Sequence, residues 1–361
     1  MGNYVLFDTI RGLSAFLVVI GHMRNAIFPP YDSLNNPKIH DQFFYFITGF
    51  GHEAVIIFFV LSGFFVGGSV IKNVEQIKLS TYIIKRLTRL WIVLIPALIL
   101  TAICDYFLPT DFLAQAEQST INSLPLQSEY SGNVVTFVCN LLFLQETACV
   151  PFGTNSPLWS LAYEFWYYVL FPAIALLFSH TLALSSKIAV GIVIVVISML
   201  LSNHILLLFP IWILGSCVFL AHTRIILNFA FKLVSLMVLL IILLVIRLQI
   251  LDGLLADYIL GISFSIFMIT CIQFERTRKL QPLYIKASAF FANISFTLYA
   301  VHFPILMLIY SKTYIASSSN SILHYTYFAI IFSVIFSSTV LLWSGFERHT
   351  HKVQRLLLNS R

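Results

Sequence analysis

Residues 231–249 read FKLVSLMVLLIILLVIRLQ. From Leu233 to Ile246 there is no charge, and Lys232 and Arg247 bracket the apolar run. A bilayer core is crossed by about 20 apolar residues in helical form, so this stretch reads as a membrane span. Nine further runs of the same kind lie on either side of it. They extend from Leu6 to Met23, Phe44 to Gly67, Ile83 to Phe107, Pro157 to Phe178, Ile188 to Leu201, Ile205 to Ala221, Leu254 to Gln273, Ser288 to Tyr310 and Ile322 to Trp343. The expected fold class is therefore all-α, a polytopic membrane protein of about ten transmembrane helices. The run from Val134 to Leu144 is too short to span and reads as a re-entrant or interfacial segment.

Composition agrees with this reading. The 361 residues are 59% apolar and 10% charged, whereas a soluble domain of ordinary composition is about 25% charged. The net charge of +6 does not indicate a nucleic-acid surface, because the lysines and arginines sit in short stretches between apolar runs. Met1 to Leu6 has no basic region and no small-residue cleavage site follows the first run, so that run is expected to be a retained helix. The five cysteines (Cys104, Cys139, Cys149, Cys217 and Cys271) show no spacing suited to a metal, and none is expected. Cys139 and Cys149 fall in one long loop, where a disulfide in an oxidising compartment and two free thiols are both open.

The positive-inside rule orients the chain, since one helix more or fewer would invert every later loop. With the N-terminus in the cytoplasm, the inner stretches hold sixteen of the 21 lysines and arginines, among them Lys72, Lys78, Lys187, Arg224, the cluster Arg276 to Lys286, Arg348 and Arg361. The outer stretches hold Arg24, Lys38, Arg247 and Lys312, and the loop from Tyr106 to Pro157 has neither residue type. Both termini are expected on the cytoplasmic side.

An ionisable side chain at a helix centre costs roughly 2.5–3.5 kcal/mol on insertion scales, so each one in a span needs a reason. On the first helix Asp8, Arg11 and His22 fall within one stripe at about 100° per residue. Asp8 and Arg11 lie near its inner end and His22, about 24 Å from Leu6, near the outer half. One reading is an Asp8–Arg11 ion pair that pins packing. The other makes His22 a general base facing an outward cavity.

Arg86 and Arg89, at i and i+3, share a face at the inner boundary of the third helix. They suit either membrane anchoring or a phosphate-rich cytosolic cofactor, to which each guanidinium offers a fork of donors. The fourth helix carries Ser160 and, about 10 Å below its outer start, Glu164. Partners open to that acid are a serine or tyrosine hydroxyl, or His22 at comparable depth, and His22 is favoured because a histidine and a carboxylate make a base and its orienter. The ninth helix brings Tyr299 and His302 onto one face, His302 about 21 Å from Ser288. In Phe58-Phe59-Val60-Leu61-Ser62-Gly63-Phe64 the small residues permit close helix contact.

Taken together, these segments resemble the acyltransferase 3 family of integral membrane O-acyltransferases. The resemblance rests on Phe7 to Gly12 leading to Gly21-His22, on Phe58 to Phe64, on Arg86 and Arg89, and on Pro157 to Ser160 leading to Glu164. Ser295 to Pro304 and Phe346-Glu347-Arg348 extend it over nearly the whole chain. It implies one membrane domain over residues 1–361 without an appended soluble domain, in a bacterial inner membrane. The implied activity moves an acyl group, usually acetyl, from cytosolic acyl-CoA to a hydroxyl of a surface polysaccharide or lipid-linked glycan. By the resemblance His22 is the catalytic base, Glu164 an acid near it, Arg86 and Arg89 the binders of the CoA phosphates, and Arg11 a support of the inner site. Asp8, Ser160, Tyr299 and His302 are supporting residues. One departure is Ile56, where many relatives have an acidic residue. The rival from another class is a proton-coupled transporter, because carriers also place His, Glu, Asp and Arg within the membrane.

Overall fold

The computed structural model describes residues 4–34, 36–109, 112, 130–312 and 321–359. Arg361 and most of the stretch 110–129 of the long loop, both used above, lie outside the described residues. Every regular element among the described residues is helical. In chain order these are α1 (Val5–Ile27), α2 (Ile39–Ile47), α3 (Gly51–Ser62), α4 (Gly68–Asn73), α5 (Leu79–Tyr106), α6 (Val134–Leu141) and α7 (Trp159–Leu177). They continue with α8 (Leu184–Leu200), α9 (Asn203–Ala221), α10 (Phe229–Arg247), α11 (Gly253–Thr277), α12 (Pro282–Lys312), α13 (Ser321–Gly345) and α14 (Thr350–Asn359).

All ten expected spans are helical. Nine of the described helical stretches are long and apolar enough to cross a membrane, and α8, with 17 residues, is a shorter apolar helix. That length is at the lower end of the spanning range of about 17–25 residues. The second span departs from expectation. Phe44 to Ile47 belong to the separate helix α2, because Thr48 closes it with an N–H to the Phe44 carbonyl, and the crossing helix begins anew at Gly51. The expected short segment is α6, eight residues long.

The chain folds into two compact units built from interleaved segments. The first comprises Met1–Gly12, His52–Arg86 and Leu161–Ala292. Within it α10 reverses the pattern of a soluble helix: Ser235 is buried and bonds Thr270 (Oγ to Oγ1, 2.9 Å), while Leu233, Met237 and Leu240 are exposed. Such a helix is stable where the surroundings are hydrocarbon and its few hydroxyls find partners inside. The helix α8 buries nothing and exposes Ile188, Ile192 and Met199.

The core of this unit is held by close backbone approach. A β-carbon built on Gly63 would lie 1.8 Å from the Trp212 carbonyl oxygen, and one on Gly215 would lie 1.9 Å from that of Val60. Only hydrogen fits at either position, as expected where membrane helices touch through small residues. Here the chain departs from α-helical winding, with a π-helical turn over Gly63–Gly67. Ser216 Oγ donates to the Gly63 carbonyl at 3.1 Å. Tyr4 and Phe7 at the start of α1 meet Phe64 and Phe65 edge to face.

The second unit comprises Leu13–Gly51, Leu87–Ser160 and Asn293–Arg361. Its long loop is ordered from Tyr130 to Leu158 by side chains that bond backbone. Asn140 donates to the carbonyls of Thr136 and Val150 and accepts from Phe152 N–H. Asp105 accepts from the backbone and hydroxyl of Thr154 at 2.9 and 2.7 Å. Asn155 donates to Thr101 Oγ1 and to the Ala300 carbonyl. Cys139 and Cys149 are joined by a disulfide, so of the two open readings the bonded one is found.

The Gly63 and Gly215 contact predicts a sharp contrast between glycines. Gly215→Ala must push α3 and α9 apart at a cost of about 1–3 kcal/mol, the usual range for overpacking. Gly191→Ala, inside helix α8 with nothing within 4 Å, should leave the thermal midpoint of the purified protein in detergent unchanged or slightly raised, since alanine is the better helix former.

Candidate active site

In the second unit α1 and α12 bring two histidines together. His22 Nδ1 and His302 Nε2 are 2.8 Å apart, with ring planes 10° from parallel. His302 has no exposed surface and His22 is partly exposed. Phe303 closes against the His22 ring edge to face. The other nitrogen of His302, Nδ1, points back along its own helix to the carbonyls of Tyr299 (2.7 Å) and Leu298 (3.2 Å). Tyr299 in turn donates its hydroxyl to the Pro157 carbonyl at 2.8 Å, and Ser160 Oγ donates to the Tyr299 hydroxyl at 2.7 Å. Four of the residues singled out in the sequence thus form one network: His22, His302, Tyr299 and Ser160. Pro304 follows His302 within α12.

Glu164 belongs to the first unit, and its described partners there are the hydroxyls of Ser62 and Tyr168. Ser62 Oγ donates to Oε1 at 2.7 Å, and the Tyr168 hydroxyl donates to the same oxygen. Trp212 Nε1 donates to Ser62 Oγ at 3.1 Å, so one carboxylate oxygen collects a chain of three donors. Ser62 is the last residue before the π-helical turn, a feature often found at functional sites. The neighbouring Ile56 is fully buried, an apolar residue in an apolar place.

Arg86 is tied to the same group. Its guanidinium lies over the rings of Tyr82 (5.2 Å) and Tyr168 (5.6 Å), contacts that favour a cation by the ring quadrupole. Tyr82 donates its hydroxyl to the Tyr168 carbonyl at 3.0 Å. Arg86 Nε is buried and has no hydrogen-bond partner among the described residues. A fork of donors held by stacked rings is suited to an anionic oxygen.

Arg89 is placed differently. It belongs to the second unit, where Nη1 lies 2.6 Å from Glu347 Oε1 and the guanidinium lies over the Phe296 ring. Glu347, whose side chain is 2% exposed, accepts from the backbone N–H and hydroxyl of Thr297 with its other oxygen. The i,i+3 spacing of Arg86 and Arg89 therefore leads to two different environments. Arg11 pairs with Asp8 at 3.6 Å, as one of the two open readings had it, and donates to the Ala292 carbonyl at 3.0 Å, both within the first unit. Among the described residues no three His, Cys, Asp or Glu side chains come together as metal ligands would.

Tyr168, Trp212 and Glu347 are among the residues of these networks that were not singled out as site residues in the sequence. Tyr168 stands at i+4 from Glu164, a helical spacing that marks it as a candidate partner. Glu347 lies 258 positions from Arg89, and no local signal joins them. The ion pair predicts its own coupling. Glu347→Ala strands Arg89 and the Thr297 donors and should cost about 2–3 kcal/mol. In a double-mutant cycle with Arg89→Ala, read from thermal midpoints in detergent, the two losses should not add.

No curated protein and no solved structure matches the chain. A protein family described as an acyltransferase domain does, over residues 4–344. That span takes in α1 through nearly all of α13, and with it every residue of the three networks except Glu347. The match decides between the enzyme and the carrier: the chain belongs to the acyltransferase 3 family and is a membrane acyltransferase.

Proposed function

We propose that the chain is an O-acetyltransferase of a bacterial inner membrane, taking acetyl from acetyl-CoA on the cytoplasmic side. The acceptor is a hydroxyl of a surface polysaccharide or lipid-linked glycan on the other side. The observation that carries this reading is the His22–His302 pair, an imidazole with partly exposed surface held by hydrogen bonding inside an apolar span. Two features support the orientation. The lysines and arginines gather in the stretches assigned to the cytoplasm, and the loop without either residue type holds the Cys139–Cys149 disulfide, a bond that persists in oxidising compartments.

In the proposed reaction a ring nitrogen of His22 removes the proton of the acceptor hydroxyl as its oxygen attacks the thioester carbonyl. The tetrahedral intermediate expels the CoA thiolate, the C–S bond breaks and an ester bond remains. The thiolate then takes the proton from the imidazolium, which restores the base. Arg86, whose guanidinium lies over two tyrosine rings, binds a phosphate of the CoA substrate, with Arg89 and Arg11 supporting the cytoplasmic side. Glu164 is required as the acceptor of the Ser62 and Tyr168 hydroxyls, which it keeps oriented. Ser160 and Tyr299 bond each other and orient the histidine network, so the transfer runs directly from donor to acceptor.

Mass spectrometry of surface glycans and glycolipids tests this. A deletion strain should lack an acetyl-sized mass that the wild-type gene restores. His22→Ala, present in the membrane at the wild-type level, should restore less than about one hundredth of it, the scale of a lost general base. Full restoration by His22→Ala would overturn the assignment of the base.

A further inference from the structure

We propose that His302 is a positioning residue that sets the tautomer of His22, acting as a neutral hydrogen-bond acceptor where a carboxylate usually serves. The inference rests on the reading of His22 as the base and adds which of its nitrogens does the work.

A peptide carbonyl only accepts hydrogen bonds. His302 Nδ1 lies 2.7 Å from the Tyr299 carbonyl and 3.2 Å from that of Leu298, so Nδ1 carries the proton. A neutral imidazole has one N–H, so His302 Nε2 keeps its lone pair. That lone pair faces His22 Nδ1 at 2.8 Å, which makes His22 Nδ1 the donor. His22 then keeps its lone pair at Nε2, the nitrogen left to take a proton from substrate.

The chain of assignments starts from the backbone of α12 itself. The Tyr299 carbonyl is three residues before His302, where a helix places it within reach of the ring. The Tyr299 hydroxyl is anchored on the Pro157 carbonyl, and Ser160 donates to it. His302 is completely buried, so water does not compete for either of its nitrogens. In serine hydrolases an aspartate holds the catalytic histidine in its working tautomer, and loss of that tautomer costs about 10⁴-fold in rate. A neutral acceptor fixes the tautomer in the same way without placing a negative charge inside the span, where a charge is costly.

Two substitutions separate positioning from packing. His302→Leu fills the space and accepts nothing. His302→Gln offers a carbonyl oxygen to His22 Nδ1 and an amide N–H to the Tyr299 carbonyl. Membranes from the deletion strain carrying each variant at matched levels are given [14C]acetyl-CoA, and the initial rate of label entering alkali-labile ester is measured. His302→Leu should lower the maximal rate about 100-fold, within the range for general-base catalysis. Its KM for acetyl-CoA should stay within about twofold, because no donor contact is lost. His302→Gln should return the rate to within about tenfold of wild type.

A second measurement needs no turnover. In protein labelled with [15N]histidine, the resonance missing from His22→Ala should report a proton on Nδ1 in wild type and in His302→Gln, and a mixture of tautomers in His302→Leu. The proposal is overturned if His22 carries its proton on Nε2 in wild type, or if His302→Gln is as slow as His302→Leu while both melt as wild type does. A wild-type protein that transfers no label, with His22 protonated on Nδ1, would refute the acetyl-CoA reading and leave the tautomer assignment standing.

Discussion

Hydrocarbon offers no hydrogen bonds, and every polar group carried into it must find its partner within the protein. That constraint organises the chain. Its spans contain histidines, acidic residues, arginines, serines and tyrosines, many of them buried from water. The structure answers with a few networks in which polar side chains pair with one another and with backbone. Glu164 Oε1 takes Ser62 and Tyr168, and Ser62 takes Trp212. Glu347 takes Arg89 with one oxygen and Thr297 twice with the other. His302 bonds backbone on one side and His22 on the other. The lipid-facing surfaces need none of this, and α8 and α10 are nearly uniform arrays of aliphatic side chains.

The sequence declares most of the architecture because span length and apolar composition are local properties. Nine of the ten apolar runs lie in one helix each, the second is divided at Thr48, and the short Val134 to Leu144 run holds the two-turn helix Val134–Leu141. Close contact at Gly63 was legible from the small residues there, although its partner Gly215 was not. The π-helical turn and the break at Thr48 were hidden, since both depend on what packs against them rather than on the run itself.

The candidate site was legible as a set of residue types and only partly as a set of partners. His302 and Tyr299 were visible as one helical face. That His302 meets His22, 280 positions away, is a tertiary fact. For Glu164 the sequence favoured His22 as partner, whereas the partners described in the structure are the hydroxyls of Ser62 and Tyr168. Arg86 and Arg89 look equivalent in sequence, and the structure distinguishes them through tyrosine rings on one and a buried glutamate on the other. An ion pair between residues 258 positions apart leaves no periodic trace.

The central claim is that the donor is consumed on the cytoplasmic side and the ester appears on the other. Sealed inside-out vesicles from cells expressing the protein, given [14C]acetyl-CoA from outside, test it most directly. Label should enter alkali-labile ester that an added esterase reaches only after the vesicles are opened with detergent. Incorporation by right-side-out vesicles alone, or ester exposed on the same face as the donor, would contradict the account.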